Sequence, residues 1–129
     1  MTGERTGHEG GFTLIELLVV MTIIGTLLAI AVPRYFHSLA RARETVLRAD
    51  LNVMREALDK YYADLGEYPD ALGKLAERRY IQGVPVDPFT RAADSWILVP
   101  SEDPDHPGIR DIHSASPELA ADGTPLATW

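Results

Sequence analysis

The feature that most restricts this 129-residue chain is the apolar run at residues 12–32, where 16 of 21 residues are Phe, Leu, Ile, Val, Met or Ala. As a helix rising 1.5 Å per residue it spans about 31 Å, enough to cross a bilayer core. A secretory signal peptide usually carries only about 7 to 15 apolar residues before a small-residue cleavage site. Here the run is longer and passes into Pro33-Arg34-Tyr35 with the helical pattern continuing, which predicts a retained anchor. Five positions interrupt it: Thr13, Glu16, Thr22, Gly25 and Thr26. Glu16 is the one charge, and an ionised carboxylate in hydrocarbon costs about 3 kcal/mol. Either Glu16 has a partner for its charge, or, being one turn from the start, it sits solvated among lipid headgroups.

Gly25 and Pro33 bracket the segment 26–32. Pro33 cannot donate to the Ala29 carbonyl and clashes with that turn, which predicts a kink. Gly25 costs about 1 kcal/mol of helix stability relative to Ala. The segment is then a weak stretch able to unwind when chains pack together, or Gly25 is a close-packing site with Ala29 four residues on. The first eleven residues hold Arg5 against Glu4 and Glu9, while the far flank holds Arg34, Arg41 and Arg43. The positive-inside rule, applied alone, puts that far flank in the cytoplasm.

Gly11-Phe12-Thr13-Leu14-Ile15-Glu16, followed by the apolar run and Pro33, resembles the processing site of type IV pilin-like proteins, including the pseudopilins of type II secretion. The resemblance implies a leader at residues 1–11 and a cut between Gly11 and Phe12 by a membrane-embedded prepilin peptidase. It also implies methylation of the new Phe12 amine. The family's leaders are usually basic, whereas this one is net acidic. In a filament, the Phe12 amine of one subunit would meet Glu16 of a neighbour, neutralising both in a low-dielectric core. Any axial slip would leave both charges unpaired, so the pair would set register. That single membrane pass would lie in the bacterial inner membrane with the head in the periplasm, opposite to what the flanking charges alone suggest.

Beyond the anchor, Leu47, Leu51, Met54, Leu58, Tyr61 and Leu65 recur at spacings of 4, 3, 4, 3 and 4, a helical stripe. Glu44 with Arg48, and Glu56 with Lys60, are i,i+4 pairs on other faces. The pattern predicts one helix over 12–65 whose second half packs on a small sheet of the same chain; a coiled-coil partner is the alternative. Gly66 suits the stop, and Pro69 opens a short helix over 70–79. Seven of the nine prolines lie from Pro85 onward. There, Trp96-Ile97-Leu98-Val99 and residues 109–113 read as strands between turns. The expected fold is α+β: a long N-terminal helix, membrane-spanning in its first half, and a head of about 95 residues with roughly three antiparallel strands. The expected divisions are a leader at 1–11, a transmembrane and filament-core helix at 12–33, and a head at 34–129. The chain has no cysteine, so its loops need another staple.

After Gly10 the chain is similar to the major-pseudopilin, or G-subunit, family of type II secretion. Tyr61-Tyr62-Ala63-Asp64-Leu65-Gly66-Glu67-Tyr68-Pro69 looks like that family's stretch at the end of the long helix. Val84-Pro85-Val86-Asp87-Pro88-Phe89 resembles its Asp-Pro-Trp segment, with Phe89 in place of Trp. Asp122-Gly123 and Trp129 echo its acidic, Gly-rich C-terminal loop, which in that family holds a structural calcium ion. Calcium takes about six to eight oxygens. Here only Asp122 clearly remains as a candidate calcium ligand, with Ser114, Ser116 and Glu118 nearby, and a second Asp-rich stretch is missing. A lone Asp-Gly also reads as a plain turn, and no cofactor is required. Glu102-Asp103-Pro104-Asp105 reads as a solvated loop, and Asp87 beside Pro88 as a turn former. Usual type IV pilins close their C-terminal loop with a disulfide, which this chain cannot do.

Enzymatic readings are thin. His8, His37, His106 and His113 lack metal-ligand spacing, and there is no Cys nucleophile or phosphate-binding glycine loop. A net charge of −7 argues against nucleic-acid binding. The resemblance implies a non-enzymatic subunit of a short pseudopilus that drives protein export across the outer membrane. Its partners would be further copies of itself, other pseudopilins, prepilin peptidase and an inner-membrane assembly platform. The alternatives are a type IV pilin or minor pilin for adhesion or motility, and a membrane-anchored binding module that never polymerises.

Overall fold

The structure, a computed structural model, describes residues 11–129; residues 1–10 of the expected leader lie outside the described residues. The elements in order are helix α1 (Leu14–Leu65), helix α2 (Gly73–Glu77), strands β1 (Ile97–Pro100) and β2 (Ile109–His113), and a 3-10 turn at Leu126–Thr128. The fold class is the expected α+β. The chain divides after Ser38 into two compact units.

In the first unit, α1 begins at Leu14 rather than Phe12 because Thr13 caps it. The Thr13 hydroxyl accepts the Glu16 amide at 3.1 Å, and the Thr13 carbonyl accepts the Leu17 amide at 3.2 Å. Thr-x-x-Glu is the sequence of a capping box. The helix continues through Gly25 and Pro33. The Thr22 and Thr26 hydroxyls donate back to the Leu18 and Thr22 carbonyls at 2.8 Å each. The threonine hydroxyls of this run are thereby satisfied within the helix, as hydrocarbon requires. All residues from 11 to 38 are exposed, and α1 is long and apolar enough to cross a membrane.

In the second unit, the rest of α1 supplies the floor of the core. Leu47, Leu51, Met54, Leu58 and Tyr61 of the expected stripe are buried, joined by Ala57. The stripe stops one member early. Leu65 is exposed because Gly66, at φ +72, closes the helix there, with its amide bonded to the Tyr62 carbonyl. Onto this floor pack Ile109 and Ile112 of β2, Trp96, Leu72 and Leu75, and Ile81, Ala120 and Leu126. Each fully buried leucine contributes about 2 kcal/mol. Helix α2 has five residues instead of the expected ten: residues 70–72 form a turn ahead of it, and Arg79 turns left-handed at φ +65 just beyond it.

The sheet has two strands, not about three. β1 and β2 pair antiparallel from Ile97↔His113 to Pro100↔Ile109. The register slips between Val99 and Pro100, leaving Arg110 as the extra residue. β2 has the expected bounds and β1 starts one residue late. The remaining stretch, 114–129, makes only one isolated bridge, Leu119↔Pro125. Pro117 and Pro125 cannot donate to a ladder, and Gly123 at φ +87 reverses the chain between them.

Candidate functional site

The Gly11–Phe12 bond lies ahead of α1, outside regular structure, and Phe12 is 80% exposed. A peptide bond free of helical hydrogen bonds can be laid extended into a protease cleft. Glu16 stands at the third helical position, where its backbone amide is held by Thr13. Its carboxylate makes no ion pair among the described residues. A Cβ built on Gly25 meets nothing within 4 Å, so its own chain does not require glycine there.

Within the second unit, α1 carries another apolar row that the stripe analysis missed. Leu39, Ala42, Val46, Ala49 and Val53 recur at spacings of 3, 4, 3 and 4. All are exposed, with Leu39, Val46 and Val53 at 36%, 47% and 50%. The signal was the heptad spacing itself, offset by one residue from the buried stripe at Val46/Leu47 and Val53/Met54.

Asp87 is a wholly buried carboxylate. Its Oδ1 accepts the Phe89 amide at 2.8 Å and the Thr90 amide at 3.4 Å, and its Oδ2 accepts the Ser114 hydroxyl. The expected turn former therefore also ties the 87–92 turn to the start of the C-terminal loop. Across from it, burial and then repulsion from Asp87 push the Asp50 carboxyl above its ordinary pKa.

The loop at 114–129 is anchored to α1. The Arg55 Nε donates to Asp111 Oδ1 at 2.8 Å, and Nη2 donates to the main-chain oxygens of Ile112, at 2.9 Å, and Trp129. The His113 Nδ1 lies 3.0 Å from the same Trp129 oxygen. The Arg48 guanidinium sits 4.3 Å above the Trp129 ring, and the Trp129 indole N–H donates to Thr124 Oγ1 at 3.0 Å. Glu44 Oε1 accepts the Ala121 amide at 2.6 Å. Glu44 and Arg48, expected to pair with each other along the helix, thus both engage the loop.

Asp122 forms a local turn. Its Oδ1 accepts the Thr124 amide at 3.0 Å and the Thr124 hydroxyl at 2.6 Å. Those bonds, with Arg48 nearby, hold its carboxyl below the usual range. Ser114 Oγ donates to Asp87, and Ser116 Oγ donates to Glu118 at 3.4 Å. Among the described residues no three His, Cys, Asp or Glu side chains gather where a metal ion could be held.

Residues 7–32 match the family model for the prokaryotic N-terminal methylation motif. The chain is 30% identical to type II secretion system core protein G of Escherichia coli, covering 89% of this chain and 86% of that protein. It is 34% identical to the protein of the same name from Pseudomonas aeruginosa, covering 64% and 69%. A fimbrial protein of Neisseria meningitidis is 38% identical over a shorter span, 60% of this chain and 50% of the other. No solved structure gives a significant match.

Proposed function

Since this chain belongs to the type II secretion system core protein G family, we propose that it is a structural pseudopilin subunit, not an enzyme. Prepilin peptidase cuts it between Gly11 and Phe12, and Phe12 becomes the methylated N-terminus. It then polymerises with further copies and other pseudopilins on an inner-membrane platform, and the filament drives export across the outer membrane. A single pass at residues 12–33 holds it in the inner membrane, with the head at 34–129 in the periplasm. The observation that carries this reading is the first turn of α1, where Glu16 is the only carboxylate in an exposed apolar surface. That charge calls for a cation, and the Phe12 amine of a neighbouring copy supplies one. The extent of the likeness favours secretion over a pilus, at 86% of core protein G against 50% of the fimbrial protein.

Intact mass of the membrane-extracted chain tests the processing, with a methylated N-terminal Phe12 expected; an uncut chain would sink the proposal. Glu16→Ala tests the charge pair. Insertion and cleavage should persist while filaments disappear or lose regular spacing. Normal filaments from that variant would refute the pairing.

A further inference from the structure

We infer that α1 staples the C-terminal loop through Glu44, Arg48 and Arg55, and that the loop keeps its structure without calcium. The chain lacks cysteine, and 114–129 joins no ladder beyond one bridge. Something else must offset the entropy of ordering so irregular a segment.

The guanidinium of Arg55 reaches Asp111, the Ile112 carbonyl and the Trp129 main-chain oxygen at once. Only a planar fork with several fixed donors can do that. It ties the helix to both the end of β2 and the far end of the loop. Arg48 adds a cation on the face of the Trp129 ring. Glu44 accepts the Ala121 amide at the loop's tip. The three residues are spaced 4 and 7 along α1, so they lie along one side of the helix. The candidate ligand side chains meanwhile have protein partners: Asp122 Oδ1 with Thr124, Ser114 with Asp87, and Ser116 with Glu118. The hydrogen bonds from Thr124, and after them the nearby Arg48, hold the Asp122 carboxyl below the usual range without any further cation. The two guanidinium groups thus close the loop on the helix through main-chain oxygens and an aromatic ring, a role that a bound divalent cation could otherwise fill.

Hydrogen exchange on the full chain in detergent tests this, with amides 118–128 as the readout and helix amides 47–61 as the control. In the unaltered chain, millimolar calcium and EDTA should give loop protection equal within about twofold. Arg55→Lys keeps the charge but loses the fork, and should reduce loop protection by roughly tenfold with the control unchanged. If that variant unfolds the whole head, Arg48→Gln decides, with an expected loss of about threefold in the loop alone. Loop protection that falls tenfold in EDTA, or that is insensitive to the deciding variant, overturns the inference. Cleavage at Gly11 is unaffected by either result, so the assembly reading stands or falls separately.

Discussion

Two carboxylates 37 positions apart show how residue identity alone misleads. Asp87 is a wholly buried carboxyl group, and a buried polar group is tolerable only where it is hydrogen-bonded; three donors converge on it. Truncating it strands two amides and a hydroxyl. Asp87→Ala should cost about 3 kcal/mol and lower the thermal midpoint by roughly 10 °C or more, measurable by circular dichroism. Asp50 is the opposite case. Burial, then Asp87, raise its pKa, so the folded state binds that proton more readily than the unfolded state does. Such a group lowers stability as pH rises through the interval between the two pKa values, and the deficit persists at neutral pH. Asp50→Asn should therefore raise the midpoint at pH 7 by about 1–3 °C and change nothing at a pH below the ordinary carboxylate range. Destabilisation by that variant at neutral pH would mean that the Asp50 charge is paired rather than penalised. The turn at Asp87 was legible in the sequence; its bond to Ser114 and its effect on Asp50 were not, because both depend on which segments meet.

Elements whose shape depends on neighbours along the chain were legible, and those that depend on a partner segment were not. The 4-and-3 spacing of Leu47 to Tyr61 predicted the buried face of α1, since helix periodicity is local. The bounds of β2 also followed from sequence, because residues 109–113 are enclosed by turn formers. The third strand, which no sequence pattern located, is absent among the described residues, and in 114–129 two prolines and a left-handed glycine outweigh the apolar residues. The Arg55 clasp escaped notice because an exposed helix arginine and one reaching a distant main-chain oxygen are identical in sequence. Gly108 is a further case. It sits at φ +125, and a Cβ there would lie 2.6 Å from the Tyr68 carbonyl oxygen and 2.8 Å from its carbonyl carbon. The next residue, Ile109, donates to the Pro69 carbonyl at 2.8 Å, so the hairpin enters β2 pressed against that backbone. Gly108→Ala should destabilise the head by about 2 kcal/mol or more, read as a lower melting midpoint. Gly25→Ala should differ in kind. It adds about 1 kcal/mol of helix propensity and touches nothing in its own chain. Unimpaired filaments from that variant would exclude both unwinding and close packing at Gly25.

At the scale of the whole molecule, the question is which exposed surfaces are exposed only in the isolated chain. Two qualify. The first is the apolar helix surface before Ser38, which lipid or other helices must cover. The second is the row Leu39, Ala42, Val46, Ala49 and Val53 in the second unit, which lipid does not explain if that unit is periplasmic. A heptad row of small and β-branched side chains suits close approach of another helix. In the proposed filament the available partner is α1 of a second copy. The absence of cysteine makes the test direct. Val53→Cys and, separately, Val46→Cys should give disulfide-linked dimers in assembled filaments but not in detergent-dispersed chains. An exposed position on another side of α1, such as Asp59→Cys, should give few. The double variant Val46→Lys, Val53→Lys swaps half-exposed valines for better helix formers, so the head should melt within about 2 °C of the unaltered chain. Cleavage and insertion should also persist, while self-like charges facing each other across the contact suppress filaments. Filaments of normal length from the double variant, with no cross-linking at position 53, would leave the row without a partner in the assembly.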